Sequence, residues 1–279
     1  MRGAHRSGKV HCSSRNQDPQ RDHYQRFGGS RYINLRAGCD NDIKPDSDPD
    51  AGFHVRRGLC HRRLWRTALR AIVLLSGGLD SAVALYWAKA QGWDLLPLEF
   101  EYYLRPGRER RACRDLCDRA GIRNGIFVPI PFLREVADTP GTEIDNPALV
   151  RAPQGYVPLR NLIFYALAAY HAELVAARYI VGGHNRTDCE SFPDAGSEFW
   201  NLFNCLLHTA MWSHPQVQTE IVHPLIGLGK VEVLRLGMEL GVPFELTWSC
   251  YHDAEYPCGA CESCIERVQA FAESGILPG

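Results

Sequence analysis

The chain has 279 residues, 45% hydrophobic and 23% charged, ordinary globular values with enough length to bury a sizeable α/β core. A formal net charge of −1 gives no general case for a nucleic-acid or membrane surface, and no stretch approaches the ~20 apolar residues of a membrane span. That sum hides a division: residues 1–70 hold 15 Lys and Arg against 7 Asp and Glu, and the rest hold 16 against 25.

Residues 1–66 carry scattered Arg, Gly, Asp, Ser and Pro, with a run Asn41-Asp42-Ile43-Lys44-Pro45-Asp46-Ser47-Asp48-Pro49-Asp50 and no apolar period longer than a turn. Such a segment cannot bury enough surface to offset its ordering entropy, so it is expected to be disordered or a non-native basic extension. A basic arm touching RNA or a partner is the functional alternative. No apolar h-region exists, so no secretory signal is expected, and a reducing cytoplasmic setting follows.

The texture changes at Ala71. Ala71-Ile72-Val73-Leu74-Leu75 is a continuous apolar run, as expected of a strand buried on both faces. A turn, Ser76-Gly77-Gly78-Leu79-Asp80-Ser81, leads into a helix over 82–90 closed by Gly92. A strand near 95–100, a polar helix near 109–120 ending at Gly121 and a third strand over 126–130 come next. A long loop covers 138–157. An alanine-rich helix over 161–177 feeds a fourth strand and turn over 179–183. A helix over 199–212, a short fifth strand over 219–224 and a helix over 230–240 closed by Gly241 complete the series. Strand alternating with helix predicts an α/β fold: a parallel sheet flanked by helices, with ligands at the C-terminal ends of the strands.

The glycine-rich turn is neither a Walker loop nor a dinucleotide fingerprint, since both patterns are absent. Its chemistry still suits an anion. Gly77 and Gly78 let backbone come close to a phosphate, and the amides at the start of the helix favour negative charge. Ser76 and Ser81 add hydroxyl donors. Asp80 is expected to cap the helix and to help hold Mg2+ through water. Residues 76–81, with Leu79 between the glycines and Asp80, resemble the pyrophosphate-binding loop of the PP-loop ATP pyrophosphatases. That superfamily splits ATP between the α and β phosphates, adenylates an oxygen, and lets a nitrogen or sulfur nucleophile displace AMP.

Cys250, Cys258, Cys261 and Cys264 follow the spacing C-x7-C-x2-C-x2-C. Four soft thiolates suit a closed tetrahedral zinc site, which stabilises a fold rather than catalyses. An iron–sulfur cluster is the rival, and a disulfide set fits poorly with a reducing compartment. Cys113 and Cys117, four apart on one helix face, read as core or surface thiols.

Together these segments resemble the 7-cyano-7-deazaguanine synthase family (QueC) over residues 71–274. The resemblance rests on residues 76–81, Val157-Pro158-Leu159-Arg160-Asn161, residues 182–188 with Phe192-Pro193-Asp194, His223-Pro224-Leu225, Gly229-Lys230, and Thr247-Trp248-Ser249-Cys250-Tyr251 with Pro257-Cys258-Gly259-Ala260-Cys261-Glu262-Ser263-Cys264, followed by Arg267 and Phe271. It implies an adenine nucleotide α-hydrolase-like PP-loop domain over 67–242 and a four-cysteine zinc-binding region over 243–279. It implies a ligase that makes 7-cyano-7-deazaguanine, in queuosine biosynthesis, from the 7-carboxy compound with ammonia and two ATP. Its partners would then be small molecules, with no membrane and no nucleic acid expected; a homodimer is one open assembly.

The resemblance also implies roles. Residues 76–81 hold pyrophosphate; Asp80, Lys230 and Arg160 are the candidate catalytic groups. Arg160, Asn161, Asn185, Asp188 and Asp194 are the candidate substrate-binding set, the last three because they follow the fourth strand. Each has a plainer reading: surface Lys and Arg, and turn-forming Asx residues. Two segments depart from the family pattern. Tyr102-Tyr103-Leu104-Arg105 stands where the family has Tyr-Gly-Gln and basic residues, and Ala195-Gly196 stands where it has Cys-Arg. The alternative that follows is a QueC-like paralogue adenylating a different carboxylate or amide, including one on a protein partner. A tRNA-thiolating PP-loop enzyme and a non-catalytic zinc module are the remaining readings.

Overall fold

The computed structural model describes residues 68–102, 105–139, 144–152 and 155–276; the expectation for residues 1–66 lies outside them. Five strands form one parallel sheet: β1 (Arg70–Leu74), β2 (Asp94–Tyr102), β3 (Ile126–Ile130), β4 (Tyr179–Val181) and β5 (Glu220–Val222), in the order β3-β2-β1-β4-β5. The apolar run at 71–75 lies at the centre because it is paired on both sides, Ala71 with Leu95 of β2 and with Tyr179 of β4.

The helices are α1 (Leu79–Ala90), α2 (Gly107–Ala120), α3 (Arg160–Leu174), α4 (Arg186–Ser191), α5 (Ser197–Ala210), α6 (His214–Val217), α7 (Lys230–Glu239) and α8 (Glu262–Ser274). Alternation along β1 divides the core. Ala71 and Val73 point to one face, where Val83 and Leu85 of α1, Leu116 of α2, Val233 and Leu234 of α7 and Phe271 of α8 pack. Ile72 points to the other, against Tyr165 and Ala168 of α3 and Trp200, Phe203 and Leu207 of α5. Polar α2 is held by a narrow stripe, Ala112, Cys113, Leu116 and Ala120, and stops at Gly121, whose φ of 76° is left-handed.

The expected strands and the five long helices are present, with ends shifted by a few residues. Three differences bear on the site. Helix α1 begins at Leu79, so Asp80 lies inside its first turn; the residue preceding the helix is Gly78, with no side-chain cap, and the expected Asp80 cap is not made. The 138–157 loop contains a short 3-10 turn, Pro147–Arg151, started by Asn146, which accepts from the Ala148 amide at 3.1 Å. Past the last cysteine, α8 packs Ala270 and Phe271 into the core beside Phe244, an element that sequence pattern alone did not announce.

Strand order 3-2-1-4-5 reverses between β1 and β4, and the crevice above such a switch point is where open α/β sheets bind ligands. The loops leaving β1 and β4 meet there. Gly183 lies so close to the other loop that a Cβ on it would stand 3.0 Å from Asp80 carbon and the Ser81 amide. Among the described residues no helix is long and apolar enough to cross a membrane.

Candidate functional site

The loop after β1 is held by its own hydroxyls. Ser81 Oγ donates to the Gly78 carbonyl at 2.9 Å and lies 3.1 Å from Ser76 Oγ, which accepts from the Gly78 amide at 3.2 Å. Gly77 has φ of +87°, and a Cβ there would stand 2.4 Å from the Glu109 carbonyl, so only glycine fits between the loop and α2. No side chain caps α1, so its first amides are left open at the loop, with the Asp80 carboxylate in the same turn.

Lys230 opens α7 and comes to the loop. Its Nζ donates to Asp80 Oδ2 at 2.6 Å, across 150 residues of sequence. Burial opposes the lysine's charge, but the Asp80 carboxylate beside it more than offsets this, with help from Asp188 and Glu266, so Lys230 titrates above the usual lysine range. The other Asp80 oxygen, Oδ1, is buried and has no hydrogen-bond partner among the described residues.

Two cavities meet at this pair. One, of about 310 Å³, is lined by Ser76, Gly78, Asp80 and Ser81 from the loop, Leu98, Phe100 and Tyr102 from β2, and Arg160, Asn161, Phe164 and Tyr165 from α3. Phe100 and Phe164 stack at 4.2 Å in its wall. The other, of about 910 Å³, is lined by Asn185 and Asp188, by Gly229 and Lys230, and by Tyr251, Glu262 and Glu266. Both volumes fall in the range of small-molecule sites, about 300–1,000 Å³.

Arg160 enters the first cavity from the start of α3 and makes no side-chain hydrogen bond or ion pair among the described residues. The helix start is anchored around it. Leu159 takes a left-handed φ of 53°, uncommon without glycine. Asp194 Oδ2 accepts from the Asn161 amide at 3.1 Å, and Asn161 Nδ2 donates to the Asp194 carbonyl at 3.1 Å. Asn161 and Asp194, expected to bind substrate, thus bind each other and place Arg160, and Asn161 also lines the cavity.

Asn185 and Asp188 form a capping box for α4: Asn185 Oδ1 accepts from the Thr187 and Asp188 amides at 2.8 and 3.3 Å, and Asp188 Oδ2 accepts from the Asn185 amide at 2.9 Å. Both still line the larger cavity. Burial raises the Asp188 carboxyl, only partly countered by that amide.

Behind the β4 loop lies a packed aromatic group. Trp200 is 4.6 Å from Tyr165, 5.2 Å from His184 and 4.1 Å from His223, centroid to centroid. Gly182 makes room for it, since a Cβ there would stand 1.7 Å from Tyr165 Oη. Burial, and then the Arg160 charge, pushes His184 down to about 3; burial likewise lowers His223, with His184 adding to it.

The four cysteines come together with every Sγ within 4.8 Å of the others and can hold a metal ion. Cys258 Sγ accepts from the Ala260 and Cys261 amides at 3.4 and 3.3 Å, which draws that thiol down to about 6. Cys250 Sγ accepts from the His252 and Cys258 amides, both at 3.4 Å. The Ala260 and Cys261 amides favour the Cys258 thiolate over its thiol, whereas burial pushes the Cys264 thiol up to about 12. The cluster joins the β1 loop through Trp248, whose backbone amide donates to the Gly77 carbonyl at 2.9 Å and whose Nε1 donates to the Cys250 carbonyl at 2.9 Å.

One residue of consequence escaped the sequence reading. Arg105, in the segment that departs from the family pattern, is buried beneath the loop with its side chain 2% exposed. An arginine just ahead of a proline in a βα connection was the available signal, but its partners lie on three separate segments. The flanking Tyr103 and Leu104 lie outside the described residues.

A family model described as queuosine biosynthesis protein QueC matches residues 70–275. The 7-cyano-7-deazaguanine synthase of Chlorobaculum parvum is 34% identical over 215 residues, covering 75% of this chain and 94% of that protein. The one of Thermoplasma acidophilum is 35% identical over 211 residues, covering 74% and 89%. Among solved structures, the NMN synthetase from Francisella tularensis is similar at a TM-score of 0.42 and 19% identity, over 77% of this chain and 80% of that one.

Proposed function

The chain belongs to the family of queuosine biosynthesis protein QueC, and from that premise we propose that it converts 7-carboxy-7-deazaguanine to 7-cyano-7-deazaguanine with ammonia and two ATP. The first ATP adenylates the carboxylate with release of pyrophosphate, and ammonia displaces AMP to leave the amide. The second ATP adenylates the amide oxygen, and loss of AMP leaves the nitrile. Adenylation turns a poor leaving oxide into a good one; the protein's task is to hold the phosphates and stabilise the departing pyrophosphate.

The observation that carries the reading is the glycine loop at the sheet's switch point with Lys230 brought to its edge by Asp80. The smaller cavity, with Leu98, Phe100 and Phe164 in its wall, suits the flat purine of ATP. The phosphates then run across residues 76–81, where Ser76, Ser81 and the first amides of α1 donate and Lys230 neutralises charge. The acceptor enters from the larger cavity. Arg160, with no ion-pair partner among the described residues, meets negative charge where α-phosphate and acceptor carboxylate approach. Asp80 Oδ1, buried and unpartnered, is the oxygen suited to magnesium or its water shell. Magnesium there would withdraw charge from the phosphates as the α–β bond breaks.

The tetrathiolate set suits a structural zinc ion. A tetrahedron with Zn–S near 2.3 Å has edges of roughly 3.8 Å, and Cys258 Sγ lies 3.9 Å from Cys264 Sγ. Zinc would crosslink the segment and leave no open position for chemistry. Cys113, Cys117 and Cys189, which form no disulfide among the described residues, fit a cytoplasmic location.

One observation favours the second reading, a paralogue with another carboxylate or amide as acceptor. Ala195 is buried, its carbonyl taken by Trp200 Nε1 at 2.8 Å, and Gly196 has no side chain, so these two positions offer the acceptor no charged group. The test is the mass of the product from ATP, ammonium and 7-carboxy-7-deazaguanine, with nucleotides counted. A nitrile with two AMP per product is expected. AMP release without change in that compound would move the acceptor elsewhere, and ADP formation would remove the reading.

A further inference from the structure

We propose that Arg105 is a positioning residue for pyrophosphate binding, fixing the peptide planes of the loop so that the Gly77 amide faces the phosphates. The proposal rests on the reading of residues 76–81 as the pyrophosphate loop.

A guanidinium has five N–H donors, and those of Arg105 are all engaged. Nε donates to Glu109 Oε2 and Nη1 to Glu99 Oε1, both at 3.0 Å. Nη1 also donates to the Phe100 carbonyl. Nη2 donates to the Ser76 carbonyl at 2.8 Å and to Cys113 Sγ at 3.5 Å. Nothing remains for a phosphate, so Arg105 acts through the groups it holds.

What it holds decides where the loop amides point. In a planar trans peptide the carbonyl and the following amide face opposite ways, and among the described residues no peptide is cis. Arg105 takes the Ser76 carbonyl on the β2–α2 side, so the Gly77 amide faces away from it, and among the described residues no group accepts from that amide. The Trp248 amide takes the next carbonyl, that of Gly77, and the Gly78 amide turns to Ser76 Oγ. Two consecutive carbonyls are thus drawn out of the loop by fixed donors, leaving the Gly77 amide, beside the first amides of α1, open to an anion. Glu99 and Glu109 hold the guanidinium in place, and the Glu109 carbonyl packs against Gly77 itself. A free Ser76–Gly77 peptide could rotate and present its carbonyl, which would repel phosphate.

The test is calorimetric binding of magnesium pyrophosphate and of a non-hydrolysable ATP to wild type, Arg105→Met and Arg105→Lys, alongside steady-state kinetics and melting. Arg105→Met should weaken pyrophosphate binding and raise KM for ATP by about tenfold or more, while kcat at saturating ATP changes far less. Arg105→Lys, which keeps the charge between Glu99 and Glu109 and can reach one carbonyl, should recover part of the affinity. If Arg105→Met does not fold, Glu99→Gln, which loosens the fork without emptying it, should show a smaller loss of the same kind. Unchanged affinity in folded variants would overturn the role of Arg105. A wild-type chain that binds neither ligand would overturn the function proposed above, and this proposal with it.

Discussion

Lys230 Nζ stands 2.6 Å from Asp80 Oδ2, so the first turn of α7 is tied to the first turn of α1 by one ion pair at the mouth of both cavities. The pair has two consequences that can be measured. Lys230→Ala should slow cleavage of ATP to AMP and pyrophosphate by ~10²-fold or more, the scale of removing one electrostatic stabiliser. Because its folded pKa is raised, Lys230 stays charged, and any stability it contributes persists, up to the ordinary lysine value near 10.4; both are lost only as pH climbs through the raised value. Asp80→Asn removes the partner but not the burial, so the basic limb of kcat/KM should move to lower pH. An unmoved limb would show that the pair does not govern the lysine.

The cysteine cluster and the β1 loop are two hydrogen bonds apart, through Trp248. Purified protein should carry about one zinc per chain. Removing it with a strong chelator, or substituting Cys261→Ser, should cost much of the folding free energy, since structural zinc contributes on the order of 10 kcal/mol in small peptides. At partial chelation, before unfolding, KM for ATP should rise as the Trp248–Gly77 bond loosens. Metal analysis, melting curves and kinetics check the three parts. Iron in place of zinc, or a melting curve indifferent to the chelator, would refute the zinc assignment.

Local chemistry made much of this legible in the sequence. A five-residue apolar run marked the central strand, glycines at 92, 121 and 241 marked helix ends, and the cysteine spacing marked a cluster. Long-range partnership was not legible. Nothing in either segment shows that Asn161 and Asp194 bind each other over 33 residues. Asp80 read as a helix cap because its real partner is a lysine 150 residues on. Arg105 read as part of a departure from a pattern, although its contacts with Ser76, Glu99, Phe100 and Glu109 make it a support of the loop. Helix α8 was hidden for another reason: only Cys264, Ala270 and Phe271 are buried while Ile265 and Val268 are exposed, so its apolar residues do not mark one face.

Two loop glycines should differ from most in what substitution does. Gly182→Ala drives a methyl into Tyr165 Oη, on a ring fully buried against Trp200, so repacking cannot be local. A destabilisation of about 1–3 kcal/mol or more is expected from urea unfolding. Gly77→Ala meets backbone, the Glu109 carbonyl, and a left-handed φ as well. It should impair ATP binding more than stability, because the loop can shift away from α2 only by giving up its phosphate geometry. Wild-type pyrophosphate affinity in Gly77→Ala would contradict the close approach of loop and helix.

The buried histidines set an acid limit on the fold. His184 is pushed down to about 3 by burial and then by Arg160, and burial holds His223 well below the usual range. In the unfolded chain both titrate near 6.5. The folded state therefore binds fewer protons than the unfolded one, and stability is lost as pH falls below about 6.5, down to the folded values. Each histidine contributes a slope approaching about 1.4 kcal/mol per pH unit once well below its unfolded pKa. Glu99, Glu109 and Asp188 act with the opposite sign, since burial raises them and the folded state takes up their protons more readily. Their effect grows toward the carboxylate range, so the histidine slope is cleanest just below pH 6.5. Unfolding free energy measured in urea from pH 7 to 5.5 should fall, and His184→Gln should remove up to one proton from that slope while leaving the His223 share. Arg160→Ala should raise the His184 pKa, seen as an imidazole resonance that titrates at higher pH than in wild type. A flat stability profile over this range in wild type would mean that the two imidazoles are not held neutral in the fold.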